Sequence, residues 1–129
     1  MVRNKTPLLF DLDGTLIDSV YQHVLAWKSS LDAKGIPLSV WRIHRKIGMS
    51  GGLFAHVLLR ETGFDNTPER LDRLRLRHAE AYLALSDSVR PLPGARSALA
   101  GVNAGVVGCC LPRSTTPCSA TRFVARACK

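Results

Sequence analysis

Leu8-Leu9-Phe10-Asp11-Leu12-Asp13-Gly14-Thr15-Leu16-Ile17-Asp18-Ser19 is the stretch from which the rest of the chain is read. Pro7-Leu8-Leu9-Phe10 is a short apolar run with no polar alternation, as in a strand covered on both faces, the parallel-sheet type. It ends at once in Asp-Leu-Asp-Gly, a polar turn. Side chains two residues apart at a strand's end point to the same side. Asp11 and Asp13 can therefore both face one pocket at the C-terminal edge of a sheet, where ligands bind in open α/β folds.

Two carboxylates so placed suit phosphoryl transfer. One must be an ionised nucleophile at the end of a rigid element. The other protonates the leaving oxygen and then takes a proton from water. A metal offsets the like charges. Gly14 allows a sharp turn and Thr15 brings a hydroxyl nearby. Other readings of the pair exist. Asp-Gly is also a hairpin turn signal. A calcium loop is excluded, because its required glycine would fall on Leu16.

Outward from this stretch the pattern is helical. Asp18-Ser19 can cap a helix from about Val20 to Lys34, with Val20, Val24, Trp27 and Leu31 on one face and Gly35 as its stop. Ser39 can cap a second, carrying Val40, Ile43 and Ile47. A third carries Leu53, Phe54, Val57 and Leu58 and ends near Gly63. Thr67-Pro68 opens a fourth, carrying Leu71, Leu74, His78, Tyr82 and Leu85. Val89 to Ala95 is a Pro/Gly-rich connector, and Ala95 to Ala100 starts another helix. One strand cannot make a sheet, so the others must come from the last thirty residues or be missing.

The 129 residues are 46% hydrophobic and 22% charged, which fits one globular domain rather than disorder. No apolar run approaches the roughly 20 residues of a membrane span, and Met1 to Phe10 lacks a secretory pattern. A cytoplasmic protein is expected. The net charge is +8, but all 10 acids precede residue 88. Residues 88–129 hold six Lys/Arg, no acid, and all four cysteines (Cys109, Cys110, Cys118, Cys128). Their spacing contains no Cys-x-x-Cys and is not a zinc site. The basic tail has one aromatic residue, Phe123, and no binding motif, so nucleic acid is disfavoured as a partner. His23, His44, His56 and His78 read as surface or helix-packing residues. Arg70, Arg73, Arg75 and Arg77 read as a solvated helix face.

Phe10 to Ser19 closely resembles the first motif of the haloacid dehalogenase superfamily, in its phosphoglycolate phosphatase-like branch. The resemblance runs on to about Leu99 and includes Val89-Arg90-Pro91-Leu92-Pro93-Gly94-Ala95. It implies an α/β fold: a Rossmann-like parallel sheet with a helical cap inserted after strand one. Residues 1–19 would start the core, 20–88 form the cap, 89–100 return to the core, and 101–129 form an aberrant tail. The implied nucleophile is Asp11, forming an aspartyl-phosphate, with Asp13 as acid/base. Mg2+ would sit on the Asp11 carboxylate and the Asp13 carbonyl. Leu12 and Gly14 would offer backbone N–H groups to the phosphate, beside Thr15. In the cap, the loop Lys46-Ile47-Gly48-Met49-Ser50-Gly51-Gly52, with Arg45 beside it, is the candidate for substrate selection. Lys46, Ser50 and Gly51 are its candidate binding residues, although the loop also reads as a plain helix–helix turn.

The family pattern fades near Ala100. It implies a later Ser or Thr for phosphate, a Lys, and further aspartates for the metal. After Asp87 there is no acid, and Lys129 is the only later lysine. Ser114 and Thr115 could imitate the Ser/Thr motif but follow Pro112-Arg113. Codons for residues 105–112 can be chosen so that a one-base offset reads Ala-Trp-Leu-Ala-Val-Ala-Ser, a strand ending in Ser. A truncation or reading-frame change after about residue 100 is therefore expected, and with it low stability and weak activity. The expected function is a magnesium-dependent phosphatase of small phosphomonoesters, such as 2-phosphoglycolate or a sugar phosphate. A phosphomutase, or a non-enzymatic fragment whose tail binds nucleic acid or an acidic partner, are the alternatives.

Overall fold

The computed structural model describes residues 8–49, 51–65, 67–103 and 108–111. Its first strand, β1 (Leu8–Asp11), ends on the first aspartate, where the apolar run stops. The polar turn that follows hangs on one carbonyl. Leu12 O accepts from Thr15 N–H (3.3 Å), Leu16 N–H (3.0 Å) and Ile17 N–H (3.1 Å). Gly14 sits there with φ +76°, and a Cβ would meet Val20 Cγ2 at 3.0 Å. Left-handed backbone and a close neighbour both select glycine. Gly14→Ala is expected to cost about 1–2 kcal/mol, read as a lowered midpoint in urea unfolding.

The chain then forms β2 (Ile17–Asp18) and four helices: α1 (Val20–Asp32), α2 (Val40–His44), α3 (Gly51–Thr62) and α4 (Pro68–Leu85). Two of the expected caps are made. Ser39 Oγ accepts from Arg42 N–H and Thr67 Oγ1 from Arg70 N–H, and Pro68 occupies the first turn of α4. Gly35, at φ +67°, follows α1 as its stop. The expected cap of α1 is not made: the Ser19 hydroxyl turns to a different partner, described below.

Two apolar clusters result. Val24, Trp27 and Leu31 of α1 meet Ile43 of α2, Phe54, Ala55, Leu58 and Leu59 of α3, and Leu71 and Leu74 of α4. The buried face of α3 is thus Phe54, Ala55, Leu58 and Leu59, while Leu53 is exposed. The second cluster joins Leu12, Leu16 and Ile17 to Ala26, Tyr82, Val89 and Ala95. Helices α1 and α4 therefore serve both clusters, one face each.

The connector after α4 is partly extended. Its strand β3 (Arg90–Pro91) pairs antiparallel with β2, Ile17 opposite Pro91 and Asp18 opposite Arg90. Leu92 N–H donates to Leu16 O at 2.9 Å. The entry to and exit from the helices thus lie side by side, as an inserted module requires. Helix α5 (Ala95–Asn103) leads to β4 (Gly108–Leu111), which pairs parallel with β1 from Leu8–Gly108 to Asp11–Leu111. A helix between neighbouring parallel strands is the βα-type crossover such pairing needs. The partner of β1 does come from the last thirty residues. Two parallel strands make up this sheet among the described residues.

Candidate active site

Asp11 ends β1 level with Leu111 of β4, and its Oδ1 accepts the Leu12 N–H at 3.0 Å. Asp13 lies two residues on, half-buried. Its Oδ1 accepts the Ser19 hydroxyl at 2.7 Å, and His23 Nε2 stands 3.3 Å from the same oxygen. Ser19 is fully buried and His23 is 8% exposed, so this carboxylate is held from the first turns of α1. The His23 contact is one of distance and charge rather than alignment: Nε2 makes no directed hydrogen bond among the described residues.

Behind His23 lies an aromatic column. Its ring stacks on Tyr82 (centroids 4.0 Å apart) and neighbours His78, and His78 stacks on Trp27 at 4.2 Å. His23 Nδ1 and His78 Nε2 are 3.3 Å apart. Burial pushes the His78 pKa down to about 3, with the nearby His23 ring adding to the fall and Asp13 opposing it. Burial, reinforced by the Asp13 charge, pushes the Tyr82 hydroxyl up to about 12. His23 and His78 are thus not surface groups but a buried pair within reach of Asp13. His78 shares the helical face of Leu71, Leu74 and Tyr82, which is a signal in the sequence. His23 lies four residues before Trp27 on α1, which is not by itself informative. His44 and His56 are exposed, as expected.

The candidate phosphate-binding groups have partners of their own. Leu12 N–H points at Asp11 Oδ1, and Gly14 N–H donates to Ile17 O at 2.9 Å. An arriving phosphate would have to replace these acceptors. Thr15 is exposed at the turn.

In the loop after α2, Lys46 N–H donates to Ile43 O and Met49 N–H to Lys46 O, and Gly48 has φ +101°. That is a helix–helix turn. The Lys46 ammonium is bound to Glu61 of α3, joined by Arg42 at 3.5 Å. The Lys46 hydrogen bond holds the Glu61 carboxyl below its usual range. Arg45 lies over the Trp41 ring, 4.7 Å from its centroid. Both cations beside the loop thus have partners in α2 and α3. Gly51 begins α3. Ser50, Ser114 and Thr115 lie outside the described residues, as does the rest of the tail beyond Leu111. A hollow of about 320 Å³, lined by Lys34, Ile36, Leu59, Phe64, Arg70 and Arg73 among others, contains none of the candidate residues.

No protein-family model and no curated protein matches the chain. Solved structures do. A hydrolase from Pseudomonas syringae is 46% identical, aligned over 97% of this chain and 57% of its own, with a TM-score of 0.83. A HAD family hydrolase from Deinococcus radiodurans R1, with bound phosphate and sodium, is 25% identical, aligned over 95% of this chain and 52% of its own, with a TM-score of 0.54. A predicted phosphoglycolate phosphatase from Haemophilus somnus 129pt is 20% identical, aligned over 87% and 52%, with a TM-score of 0.69. The chain is similar in structure to haloacid dehalogenase-family hydrolases and phosphatases. It spans a little over half the length of these relatives. The fold matches haloacid dehalogenase-like α/β neighbours, with an incomplete sheet: β1 pairs with β4 and β2 with β3 among the described residues. Hydrolases and a predicted phosphatase are among the structures it resembles. Among the described residues no helix is long and apolar enough to cross a membrane.

Proposed function

We propose that the chain carries the reacting carboxylates of a magnesium-dependent phosphatase of small phosphomonoesters, 2-phosphoglycolate or a sugar phosphate. The observation that carries this is the setting of the pair. Asp11 closes a parallel strand, and Asp13, two residues on, is held by Ser19 with His23 beside it.

Asp11 attacks phosphorus, and the ester oxygen leaves with a proton from Asp13. Asp13, now a carboxylate, takes a proton from the water that opens the aspartyl-phosphate. The Ser19 hydroxyl and the His23 ring both stand at its Oδ1 and keep the carboxylate in place for that second step. Residues 20–88 act as the cap over this site, and β2 and β3 are its two stems.

The donor set suits Mg2+ in kind. The Asp11 carboxylate and the Asp13 carbonyl are hard oxygens, and Mg2+ often uses one or two carboxylates with water and substrate phosphate completing six positions. Bound there, it would offset the charge of Asp11 and the phosphate. No Asp or Glu follows Asp87 in the sequence to add a further carboxylate, so weak metal binding and slow turnover by this chain are expected.

The test is covalent. The full chain is incubated with Mg2+ and acetyl phosphate, treated with borohydride to reduce any acyl phosphate, and digested for mass spectrometry. Reduction at Asp11 is the expected result. No modified Asp11 under conditions where the chain is folded would remove the reading. Release of inorganic phosphate, against transfer to a second hydroxyl, separates phosphatase from phosphomutase.

A further inference from the structure

We propose that His78 of α4 is a positioning residue for Asp13: through His23 it holds a protonated ring nitrogen toward that carboxylate. The proposal rests on the reading of Asp13 as the acid/base. Asp13 Oδ1 already takes the Ser19 hydroxyl at 2.7 Å, and His23 Nε2 lies 3.3 Å from the same oxygen. A bare ring nitrogen there would set its lone pair against a carboxylate oxygen in a site with little water. The proton of His23 therefore belongs on Nε2, and a neutral ring then has a bare Nδ1. That Nδ1 faces His78 Nε2 at 3.3 Å, so His78 donates and His23 accepts.

Nothing else described holds the ring this way. The Nε2 contact with Asp13 lacks hydrogen-bond alignment, so Asp13 alone does not fix the ring's orientation. His23 and His78 are 8% and 5% exposed, which leaves little room for water to replace either partner. Tyr82 stacks on His23 and Trp27 on His78, so both rings are clamped. The low pKa of His78 keeps it neutral, as a single-donor partner requires. The same logic orients a metal-bound histidine through its second nitrogen. Here it ties the acid/base to two helices at once. Ser19 and His23 approach from the start of α1, and His78 and Tyr82 from α4. A shift of α4 against α1 would break the His23–His78 contact and leave the ring beside Asp13 unfixed.

Nitrogen-15 NMR of the histidine rings in the full chain at neutral pH tests this without any turnover. Its failure is therefore separate from failure of the phosphatase reading. The expected wild-type result is one His23 state, with the proton on Nε2 and a hydrogen-bonded, bare Nδ1. His78→Phe keeps a ring in the stack but removes the donor, and His23 should lose that single state for a mixture of tautomers. His78→Gln offers an amide N–H at similar reach and should restore it, which a purely packing role for His78 would not. A wild-type His23 whose Nδ1 carries the proton overturns the proposal. So does a His23 state unchanged in His78→Phe. If His78→Phe fails to fold, the wild-type tautomer and the His78→Gln variant decide.

Discussion

Asp13→Asn lowers hydrolysis of an alkyl phosphomonoester by about 10²–10⁴-fold, the range for loss of a general acid/base. The amide still accepts the Ser19 hydroxyl that the carboxylate takes at 2.7 Å, so the turn from Leu12 to Ile17 should stand. What is lost is the proton. An aryl phosphate, whose leaving group needs none, should still load phosphate onto Asp11 in this variant. Loss of the phosphoenzyme should then be slow, because water has no base. Asp11→Asn should instead abolish loading with either ester, since an amide is not a nucleophile at phosphorus. The leaving-group comparison uses rapid quench with radiolabelled phosphate. Equal impairment of loading by both esters in Asp13→Asn would remove Asp13 from the acid/base role.

Acid should destabilise the chain through His78. Unfolded, its imidazole takes up a proton near pH 6.5; folded, burial delays this to about pH 3. Across that window the unfolded state binds more protons. The full contribution to stability is present above about pH 6.5, falls as the pH drops, and levels off below about pH 3. The slope is at most about 1.4 kcal/mol per pH unit, and the loss over the window is roughly 3–5 kcal/mol. That is a large part of the 5–15 kcal/mol typical of a domain. Urea unfolding at a series of pH values should show it, and in His78→Gln the fall should be shallower by that amount. An unchanged slope in His78→Gln would show that other groups set the acid limit.

Much of the helical layer was legible from residue spacing and caps. Ser39 and Thr67 cap their helices, and Leu71, Leu74, His78 and Tyr82 line the buried face of α4. These are local effects, set within a turn or two of chain. Spacing alone puts Leu53 on the inner face of α3, one position off, because a run of adjacent apolar residues leaves the phase of a helix to its neighbours. Strands β2 and β3 were not foreseen. Two residues each, they exist only because the two ends of the helical layer meet. Lys46 read as a candidate for anions, yet Glu61, fifteen residues away, holds its charge.

The opening stretch divides in the same way. By itself the sequence determined that Asp11 and Asp13 follow a buried strand with Gly14 at the turn, because an apolar run, a two-residue period and a glycine are local properties. The tertiary structure alone decided what surrounds Asp13. Ser19 reads as a helix cap, and only the turn from Leu12 to Ile17 sends its hydroxyl back to the carboxylate. His23 and His78 are 55 residues apart, and the packing of α1 on α4 brings their rings to 3.3 Å. Contacts between distant segments depend on how helices cross, which no short stretch of sequence encodes.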